Sequence, residues 1–549
     1  MEPWRSAIHY HERTKHHPQR FARSLGYMDW DNQPNPFRRF SATELITLEH
    51  PSDAPRPLYD ELYKPGAIPA QPVSAASVAR LLSLSLAISA WKQLGKTRWA
   101  LRINPSSGNL HPTEAYLVAG PVDGLTKTPC VFHYAPEVHA LERRASLPTA
   151  AWETFTAGLR ADWLLVGLSS IHWREAWKYG ERAYRYCQHD AGHALAAVAL
   201  SAAALGWSAH WLSVVSDAAC AALLGLDRAD EFEPKEGEHP EMLVAVIPGA
   251  ARPDARSGTD WERRVSSLAS QAQWFGKPNR LSREHVAWQA IDTVRTACQK
   301  PATSWPSQDD SSAVVSESLS APPRQVAAAT VVRQRRSAVA MDGESRMARD
   351  PFLILLDRLL PRFDRAPWAA LGPPVCLHPV FFVHQVEDFE SGLYILVRDA
   401  RQGDALRAAM SAEFTWTQPA SCPERMPFYQ LARADCRRAA GQLACGQLIA
   451  AEGAFSVAMI ARFEEPLATH GAWFYRRLHW EAGMIGQVLY LEAEAAGLRG
   501  TGIGCFFDDP THEVLGLKDA TYQTLYHFAV GGPVDDPRLT TLPAYSAAP

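Results

Sequence analysis

Residues 102–112 read Arg-Ile-Asn-Pro-Ser-Ser-Gly-Asn-Leu-His-Pro, and a strand-like run, Ala115-Tyr116-Leu117-Val118, follows almost directly. The proline and glycine break regular structure, and the glycine permits a positive φ angle and close approach of the backbone. The two serines and the second asparagine supply donors and acceptors that suit the edge of a flat polar ring. The pattern is typical of a binding loop; an ordinary polar turn before a strand is the alternative.

Length and composition are typical of a large enzyme with more than one hydrophobic core. The 549 residues are 47% hydrophobic, enough for at least two domains. The net charge is only -4 and no long Lys/Arg run occurs, so neither nucleic acid nor a membrane is an expected partner. Nine cysteines are scattered with no CxxC pair, which argues against a disulfide framework or a metal site and favours a cytoplasmic location. The segment Met1-Glu2-Pro3-Trp4-Arg5 lacks the apolar core of a signal peptide.

One apolar segment is long enough to suggest a membrane span. Ala191 to Leu212 contains no Asp, Glu, Lys or Arg, but it is rich in alanine and interrupted by glycine, serine and histidine. We expect a buried helix instead. The alanines from Ala196 to Ala204 would let a second helix approach closely.

The chain contains an internal repeat. A shift of 291 positions aligns Tyr184-Arg185 with Tyr475-Arg476 and Asp190-Ala191-Gly192 with Glu481-Ala482-Gly483 without a gap. The same shift aligns Gly206 with Gly497 and Leu224-Gly225-Leu226 with Leu515-Gly516-Leu517, past the end of the helix. This register predicts two copies of one fold.

The repeat and the composition predict four segments. Residues 1–74 form an N-terminal extension, 75–297 the first domain, 298–326 a Pro/Ser-rich linker and 327–549 the second domain. Long helices mixed with short strands indicate an α+β fold in each domain. Four histidines near the start of the extension are expected to be solvated rather than to bind a metal: His9, His11, His16 and His17.

The loop resembles the flavin-contacting segment of the nitroreductase superfamily, through Pro105-Ser106-Ser107, Asn109 and Pro112. In that superfamily the loop touches the flavin across a subunit interface. Residues 177–186 (Trp-Lys-Tyr-Gly-Glu-Arg-Ala-Tyr-Arg-Tyr) and Asp190-Ala191-Gly192-His193-Ala194 resemble the SagB/ThcOx-type branch, flavin dehydrogenases that oxidise peptide azolines to azoles. The resemblance covers most of residues 75–250. It implies two fused nitroreductase-like domains that form an intramolecular pseudo-dimer.

The resemblance also implies an FMN site built from both copies. Arg335 and Ser337 fall on the Arg-x-Ser positions that hold the phosphate, although Val339 stands where the superfamily often has a further basic residue. Gly502 and Gly504 fall on a segment that brings backbone to the flavin ring, and Arg538 on a basic tail position. The first copy supplies the loop, with five predicted contacts: Arg102, Pro105, Ser106, Ser107 and Asn109. Each copy lacks what the other has, so we expect one FMN per chain and an empty pseudo-equivalent site.

Lys178 and Tyr179 fall on the Lys-Tyr pair of the azoline-oxidising enzymes. Lys178, desolvated beside Arg182 or Arg185, is the predicted base, and Tyr179 is predicted to orient the substrate. A surface helix face is the alternative for these residues. His193 is expected to be a hydrogen-bonded histidine between helices.

The leading interpretation is an FMN-dependent oxidoreductase of SagB type that acts on an azoline-like small molecule or peptide. The resemblance implies a peptide-modifying cyclodehydratase as a possible partner. An NAD(P)H-dependent nitro- or quinone-reductase is the second interpretation, since the superfamily binds nicotinamide and substrate alternately on the flavin. A flavin-free binding scaffold is the third.

Overall fold

The structure is a computed structural model that describes residues 2–50, 55–159, 162–250, 258–304, 318–319 and 324–545. Helices and strands are mixed along the chain, as predicted for an α+β fold. The helices are α1 (Pro3–Arg13), α2 (Ala75–Ser83), α3 (Thr149–Thr156), α4 (His172–Tyr179), α5 (Ala183–Ala203), α6 (Asp217–Leu224), α7 (Gly258–Ala269), α8 (Gln289–Ala297), α9 (Ala328–Gln334), α10 (Arg349–Leu359), α11 (Gly403–Ala409), α12 (Arg437–Leu443), α13 (Glu464–His470), α14 (Phe474–Ala495) and α15 (Asp508–Leu515).

The strands fall into two large sheets and two small ones. Those before residue 300 are β1 (Phe40–Ser41), β2 (Leu45–Thr47), β3 (Ile88–Leu94), β4 (Thr97–Arg102), β5 (Thr113–Ala119), β6 (Cys130–Ala135), β7 (Ala140–Ser146), β8 (Leu164–Ser170), β9 (Trp207–Trp211), β10 (His239–Pro248), β11 (Gln273–Trp274) and β12 (Lys277–Pro278). Those after it are β13 (Leu377–Val383), β14 (Gly392–Leu396), β15 (Phe428–Arg433), β16 (Phe455–Arg462), β17 (Arg499–Ile503), β18 (Tyr522–Gly531) and β19 (Thr540–Leu542).

Six strands of the first large sheet, which also includes β2 and β11 beside β7, have the same order as the six strands of the second. The first runs β7-β6-β5-β8-β10-β9 and the second β15-β14-β13-β16-β18-β17, with antiparallel neighbours throughout. The 291-residue shift also separates the starts of α5 and α14, at residues 183 and 474, and of α6 and α15, at residues 217 and 508. The prediction of two copies of one α+β fold is therefore confirmed.

The copies pack against each other through α5 and α14, the longest helices of the described chain. Both helices are buried over nearly their whole length. They cross at equivalent glycines: a Cβ atom on Gly192 would collide with the backbone of Trp480, and one on Gly483 with the carbonyl oxygen of His189. Small residues at a crossing let two helix backbones come close. The closest approach lies at this glycine pair, N-terminal to the alanine-rich surface predicted for it.

The segment considered as a membrane span is split between buried elements. Its first part belongs to α5, and the rest turns into strand β9. None of the helices in the described ranges is both long and apolar enough to cross a membrane.

The N-terminal segment is integrated into the first copy. Strand β2 pairs with β7, and β1 pairs with β12. The prediction that the four histidines are solvated is wrong for His11 and His16, which are buried. His11 shares a hydrogen bond with Tyr475, and His16 accepts one from the backbone N–H of Ala22, so packing against the second copy covers both rings.

The ends of the predicted linker and second domain also pack on the first copy. Cys298 and Lys300, placed in the linker by composition, are buried, and the Lys300 ammonium donates to the carbonyl oxygen of Val215. Residues 305–317 and 320–323 of the predicted linker lie outside the described residues. Strand β19, near the C-terminus, pairs with β3 of the first copy.

Because α5 and α14 touch at these glycines, an alanine substitution there should lower the stability of the protein strongly. Gly483→Ala forces α5 and α14 apart, and we expect a loss of about 1–3 kcal/mol in the free energy of unfolding, with a fall of roughly 2 °C or more in Tm. Gly403→Ala, where no atom lies within 4 Å of the added carbon, is the control and should not lower Tm. Equal Tm values for the two variants, measured by thermal unfolding, would show that the crossing tolerates a side chain.

Candidate active site

A cavity of about 440 Å³ lies where the two copies meet. Its size falls within the usual range for small-molecule and cofactor sites. The first copy lines it with the loop after β4 and with residues of α5, and the second copy with the segment after α9, the end of β17 and tyrosines of α14 and β18. Nine of the ten predicted cofactor contacts line this one cavity: Arg102, Pro105, Ser106, Ser107, Asn109, Arg335, Ser337, Gly502 and Gly504.

The loop is a tight turn whose polar groups are bonded largely to the protein itself. Gly108 has φ +58°, as its predicted role requires, and Asn109 has φ +60°. The Asn109 amide donates to the carbonyl oxygen of Ala100 and also bonds His111. Ser106 accepts from the backbone N–H of His111 at 2.8 Å. Asn109 thus keeps one amide hydrogen for a ligand, because the first is already used.

Asp190 of α5 anchors this loop. Ser107 donates to its carboxylate from both the backbone N–H and the hydroxyl, each at 3.1 Å. Asp190 is buried and lines the cavity, and burial raises the pKa of its carboxyl to about 7. Glu175 of α4 is buried nearby, and burial together with the charge of Asp190 raises its pKa as well. Of the two buried acids, Asp190 is therefore the one suited to holding and releasing a proton near neutral pH.

The basic end of the cavity is centred on Arg335. The side chain is buried, and one terminal nitrogen donates to the carbonyl oxygens of Arg102 and Ile103 at 2.6 and 3.0 Å. No carboxylate of the described residues forms an ion pair with it, and burial lowers its pKa. Arg336 and Arg499 line the same end, beside the exposed Val339.

Tyrosines surround the glycines at the end of β17. Tyr490 accepts a hydrogen bond from the Gly502 N–H at 2.8 Å and shares one with Ser337. The Tyr186 hydroxyl donates to the carbonyl oxygen of Gly504. A Cβ atom on Gly502 would collide with Tyr526, and one on Gly504 with Tyr186. These positions therefore require glycine for the aromatic walls to pack, in addition to any contact with a ligand.

Two predicted arginine contacts have other partners. The Arg102 guanidinium donates to the carbonyl oxygens of Pro36 and Thr113, so it supports the loop from behind. The side chain of Arg538 is 76% exposed, pairs with Asp536 of its own turn and is absent from the described cavity wall. The predicted phosphate contact of Arg538 has no support in this geometry, because the guanidinium faces solvent.

Lys178 and Tyr179 lie over the loop at the end of α4. A Cβ atom on Gly108 would lie 2.6 Å from the Tyr179 hydroxyl and 3.2 Å from the Lys178 ammonium. Tyr179 lines the cavity, whereas Lys178 is exposed. The predicted desolvation of Lys178 beside Arg182 or Arg185 is wrong: both arginines are buried and pair with Asp508 at 3.0 and 2.8 Å. That carboxylate lies at the start of α15, in the second copy.

His193 lies between the central helices, as predicted. Its Nε2 bonds the Tyr526 hydroxyl at 3.2 Å, and burial lowers the pKa of the imidazole to about 3, so it is neutral. Sequence reasoning missed the site roles of Asp190, Tyr186, Tyr490 and Tyr526. Asp190 appeared in the sequence only as a repeat position and as part of a segment that resembles the SagB-type branch, with no role assigned to it. Nothing in its local sequence distinguishes a buried acid that faces a cavity from one on a surface.

The pseudo-equivalent position is built differently. Trp211 replaces Gly502 and packs against Trp480, with ring centroids 5.2 Å apart. Glu481 replaces Asp190, but it pairs with Arg398. A cavity of about 330 Å³ remains there, lined by Lys64-Pro65-Gly66 instead of an Arg-x-Ser segment. Within the described ranges, no group of three or more His, Cys, Asp or Glu side chains is arranged to hold a metal ion.

A family model, the Nitroreductase family, matches residues 70–246 and 393–532. These segments together make up more than half of the chain and fall in both copies. The protein belongs to the nitroreductase family. No curated protein gives a significant match.

One solved structure matches the fold over nearly the whole chain. A candidate nitroreductase from Anabaena variabilis ATCC 29413 is 22% identical, with a TM-score of 0.68, and the match covers 96% of this chain and 99% of that one. A candidate nitroreductase from Ralstonia eutropha JMP134 is 17% identical over 42% of this chain and 98% of its own, with a TM-score of 0.27. A chain of the E. coli microcin synthetase McbBCD complex with truncated pro-MccB17 bound is 18% identical over 46% and 94%, also with a TM-score of 0.27. The first match shows that the two-copy fold occurs in one chain elsewhere.

The raised pKa of Asp190 predicts a stability difference that depends on pH. The folded protein holds this proton up to about pH 7, whereas the unfolded chain releases it near pH 3.8. Protonation of Asp190 therefore contributes fully to the free energy of unfolding below pH 3.8. This contribution is lost as pH rises to about 7, by up to about 1.4 kcal/mol per pH unit. Asp190→Asn abolishes this loss, so the Tm of the variant relative to the parent should rise between pH 5 and pH 8. Asp31→Asn, at an exposed carboxylate, should show no such trend, and a flat difference for Asp190→Asn would refute the buried acid.

Proposed function

We propose that the protein is an FMN-dependent oxidoreductase with one flavin site per chain, in the cavity between the copies. One observation carries this proposal: Arg335, a buried cation without an ion-pair partner among the described residues, lies in the same cavity as the Ser106-Ser107 loop of the other copy. A buried charge is unfavourable unless it is paired, and a phosphate monoester would supply the missing anion.

The chain's groups at the basic end fit a phosphate. Arg335 already uses one terminal nitrogen to hold the loop backbone, and its Nε has no partner within the described part of the chain. Ser337 is exposed at the cavity and has a hydroxyl able to donate. Arg336 adds positive charge, whereas Arg499 is paired with Asp535. A fork of guanidinium and hydroxyl donors is the arrangement that binds phosphate oxygens well.

The remaining walls fit a flat polar ring. Pro105, Ser106, Ser107 and Asn109 are the proposed contacts from the first copy, and Gly502 and Gly504 those from the second. Arg102 is proposed to act indirectly. Its carbonyl oxygen accepts a hydrogen bond from Arg335, and its guanidinium donates to the carbonyl oxygen of Pro36. The cavity near the pseudo-equivalent position lacks an Arg-x-Ser segment, and Trp211, which replaces Gly502, packs against Trp480; both observations support one flavin rather than two.

For the reaction we propose dehydrogenation of an azoline-like ring in a small molecule or peptide. When bound, FMN supplies the acceptor for a hydride at N5. The chain supplies the proton chemistry: Tyr179 presents its hydroxyl at the loop, Lys178 lies beside it, and Asp190 behind the loop is an acid whose pKa is about 7. The resemblance of residues 177–186 and 190–194 to the SagB-type branch supports this substrate class. A cytoplasmic location and a cyclodehydratase partner belong to the same proposal.

An NAD(P)H-dependent nitro- or quinone-reductase is the second candidate. The exposure of Lys178 favours it, because a reductase that takes hydride from a nicotinamide needs no enzyme base. The two candidates differ in what reduces the flavin. Anaerobic mixing with NADH or NADPH should leave a dehydrogenase oxidised and bleach a reductase.

Arg335→Ala tests the flavin site. The parent should release about one FMN per chain on denaturation, and the variant should bind FMN at least roughly tenfold more weakly, since a hydrogen bond to a charged group contributes about 1.5–3 kcal/mol. Arg538→Ala is the matched control, because Arg538 is exposed and pairs only locally. A parental content near two, or equal FMN affinity in Arg335→Ala and the parent, would disprove the composite site.

Lys178→Ala and Tyr179→Phe test the proton chemistry apart from cofactor binding. Both variants should retain FMN with a normal visible spectrum but slow flavin reduction by an azoline substrate by roughly 10² to 10⁴-fold, as for loss of a positioned acid or base. Lys96→Ala, at an exposed lysine of the β3–β4 turn, is the control. Parental rates of reduction in both variants would overturn the assignment and favour the nicotinamide-driven reductase.

A further inference from the structure

We propose that Cys445 and Cys505 form a reversible dithiol–disulfide couple at the rim of the cavity, which exchanges electrons with small-molecule thiols and disulfides. The two Sγ atoms lie 2.8 Å apart. Both side chains are half-buried, whereas the other seven cysteines are buried. A disulfide requires adjacent sulfur atoms, and exchange with a soluble thiol requires access, so these two cysteines alone among the nine meet both conditions.

The local backbone holds Cys445 in position. It follows α12 in a turn with φ +55°, a left-handed conformation that residues other than glycine rarely adopt, and Gly446 follows with φ +75°. Such conformations persist where the surrounding structure determines them, often at functional sites. Gln447 then donates to the carbonyl oxygen of Cys505 at 3.0 Å. The turn and the segment after β17 are thereby held together beside the two sulfurs.

The surroundings of Cys505 favour a thiolate. The hydrogen bond with Cys445, followed by His16 and Arg182, holds the pKa of Cys505 well below its usual value, whereas the same bond raises the pKa of Cys445. Charged and titratable groups face the pair from three elements: His16 from the N-terminal segment, Arg182 from the turn before α5, and Asp508 from α15. A pair that shares one proton has a reactive thiolate and a protonated neighbour that can resolve a mixed disulfide.

The reaction balances with a small disulfide as the oxidant. The Cys505 thiolate attacks one sulfur of a disulfide such as oxidised glutathione, forms a mixed disulfide and releases one thiolate. Cys445 then loses its proton to solvent and attacks Cys505, which releases the second thiolate and leaves the Cys445–Cys505 bond. Two electrons pass from the protein to the small disulfide. A dithiol such as dithiothreitol reverses both steps.

The location links this couple to the cavity. Cys505 and Gln447 both line the cavity wall, directly after Gly504. Oxidation would tie the turn after α12 covalently to the segment after β17. The couple needs no flavin, so it goes beyond the proposed function and is tested independently of it.

The test uses the full-length protein equilibrated in buffers with different ratios of reduced and oxidised glutathione. After acid quenching, unfolding and alkylation, peptide mass spectrometry should find one linked pair, Cys445 with Cys505, and the other seven cysteines alkylated. The linked fraction should follow the glutathione ratio and return to zero with dithiothreitol. No linked pair at excess oxidised glutathione, or linkage spread over several cysteines, would overturn the proposal.

Variants separate the role of Cys505, which attacks the small disulfide, from that of Cys445, which resolves the mixed disulfide. Cys445→Ser should trap glutathione on Cys505 as a mixed disulfide, whereas Cys436→Ser, at a buried cysteine just before α12, should leave the linkage intact. In the parent at pH 6, Cys505 should react with iodoacetamide at least about tenfold faster than Cys436, because only the thiolate is nucleophilic. Equal rates would contradict a thiolate at Cys505. The linkage assay on the parent requires no variant, so a misfolded variant does not weaken the test.

Discussion

The close crossing of α5 and α14 is the constraint on which the rest of the structure depends. Gly192 and Gly483 allow the two backbones to touch, and Gly483 would place a Cβ atom 3.0 Å from the Cα of Gly192. This contact joins the two copies at equivalent positions of their longest helices. It also brings Asp190 and Tyr186 of one helix opposite Tyr490 of the other, which creates the walls of the cavity.

The symmetry of the fold is not matched by symmetry of the sites. Where the first position has Gly502, the second has Trp211, and the large side chain packs against another tryptophan. Where the first has Asp190 facing a loop of serines, the second has Glu481 paired with Arg398. At the second position the buried charges are paired and the aromatic rings are packed, so these groups need no ligand as a partner. The cavity with Arg335 keeps a buried cation and raised pKa values, as binding sites do.

The sequence predicted the fold well because the repeat is encoded locally. The 291-residue register, the apolar α5 segment and the glycines that end helices each leave a signal in a short window of residues. The site was predicted in part: the loop at 105–109, Arg335, Ser337 and the β17 glycines line one cavity. Those residues lie in compact motifs that were recognisable one at a time.

The sequence by itself determined two copies of an α+β fold and the segments that meet at one cavity. Only the tertiary structure decided which charged groups are buried and with what partner. Asp508 binds Arg182 and Arg185 from more than 300 residues away, and Lys178 is exposed instead of desolvated beside these arginines. The burial of His11 and His16, the pairing of β19 with β3 and the contact of Cys445 with Cys505 are likewise long-range. Such contacts depend on how the copies pack, and packing between distant segments leaves no periodic pattern in the sequence of either segment.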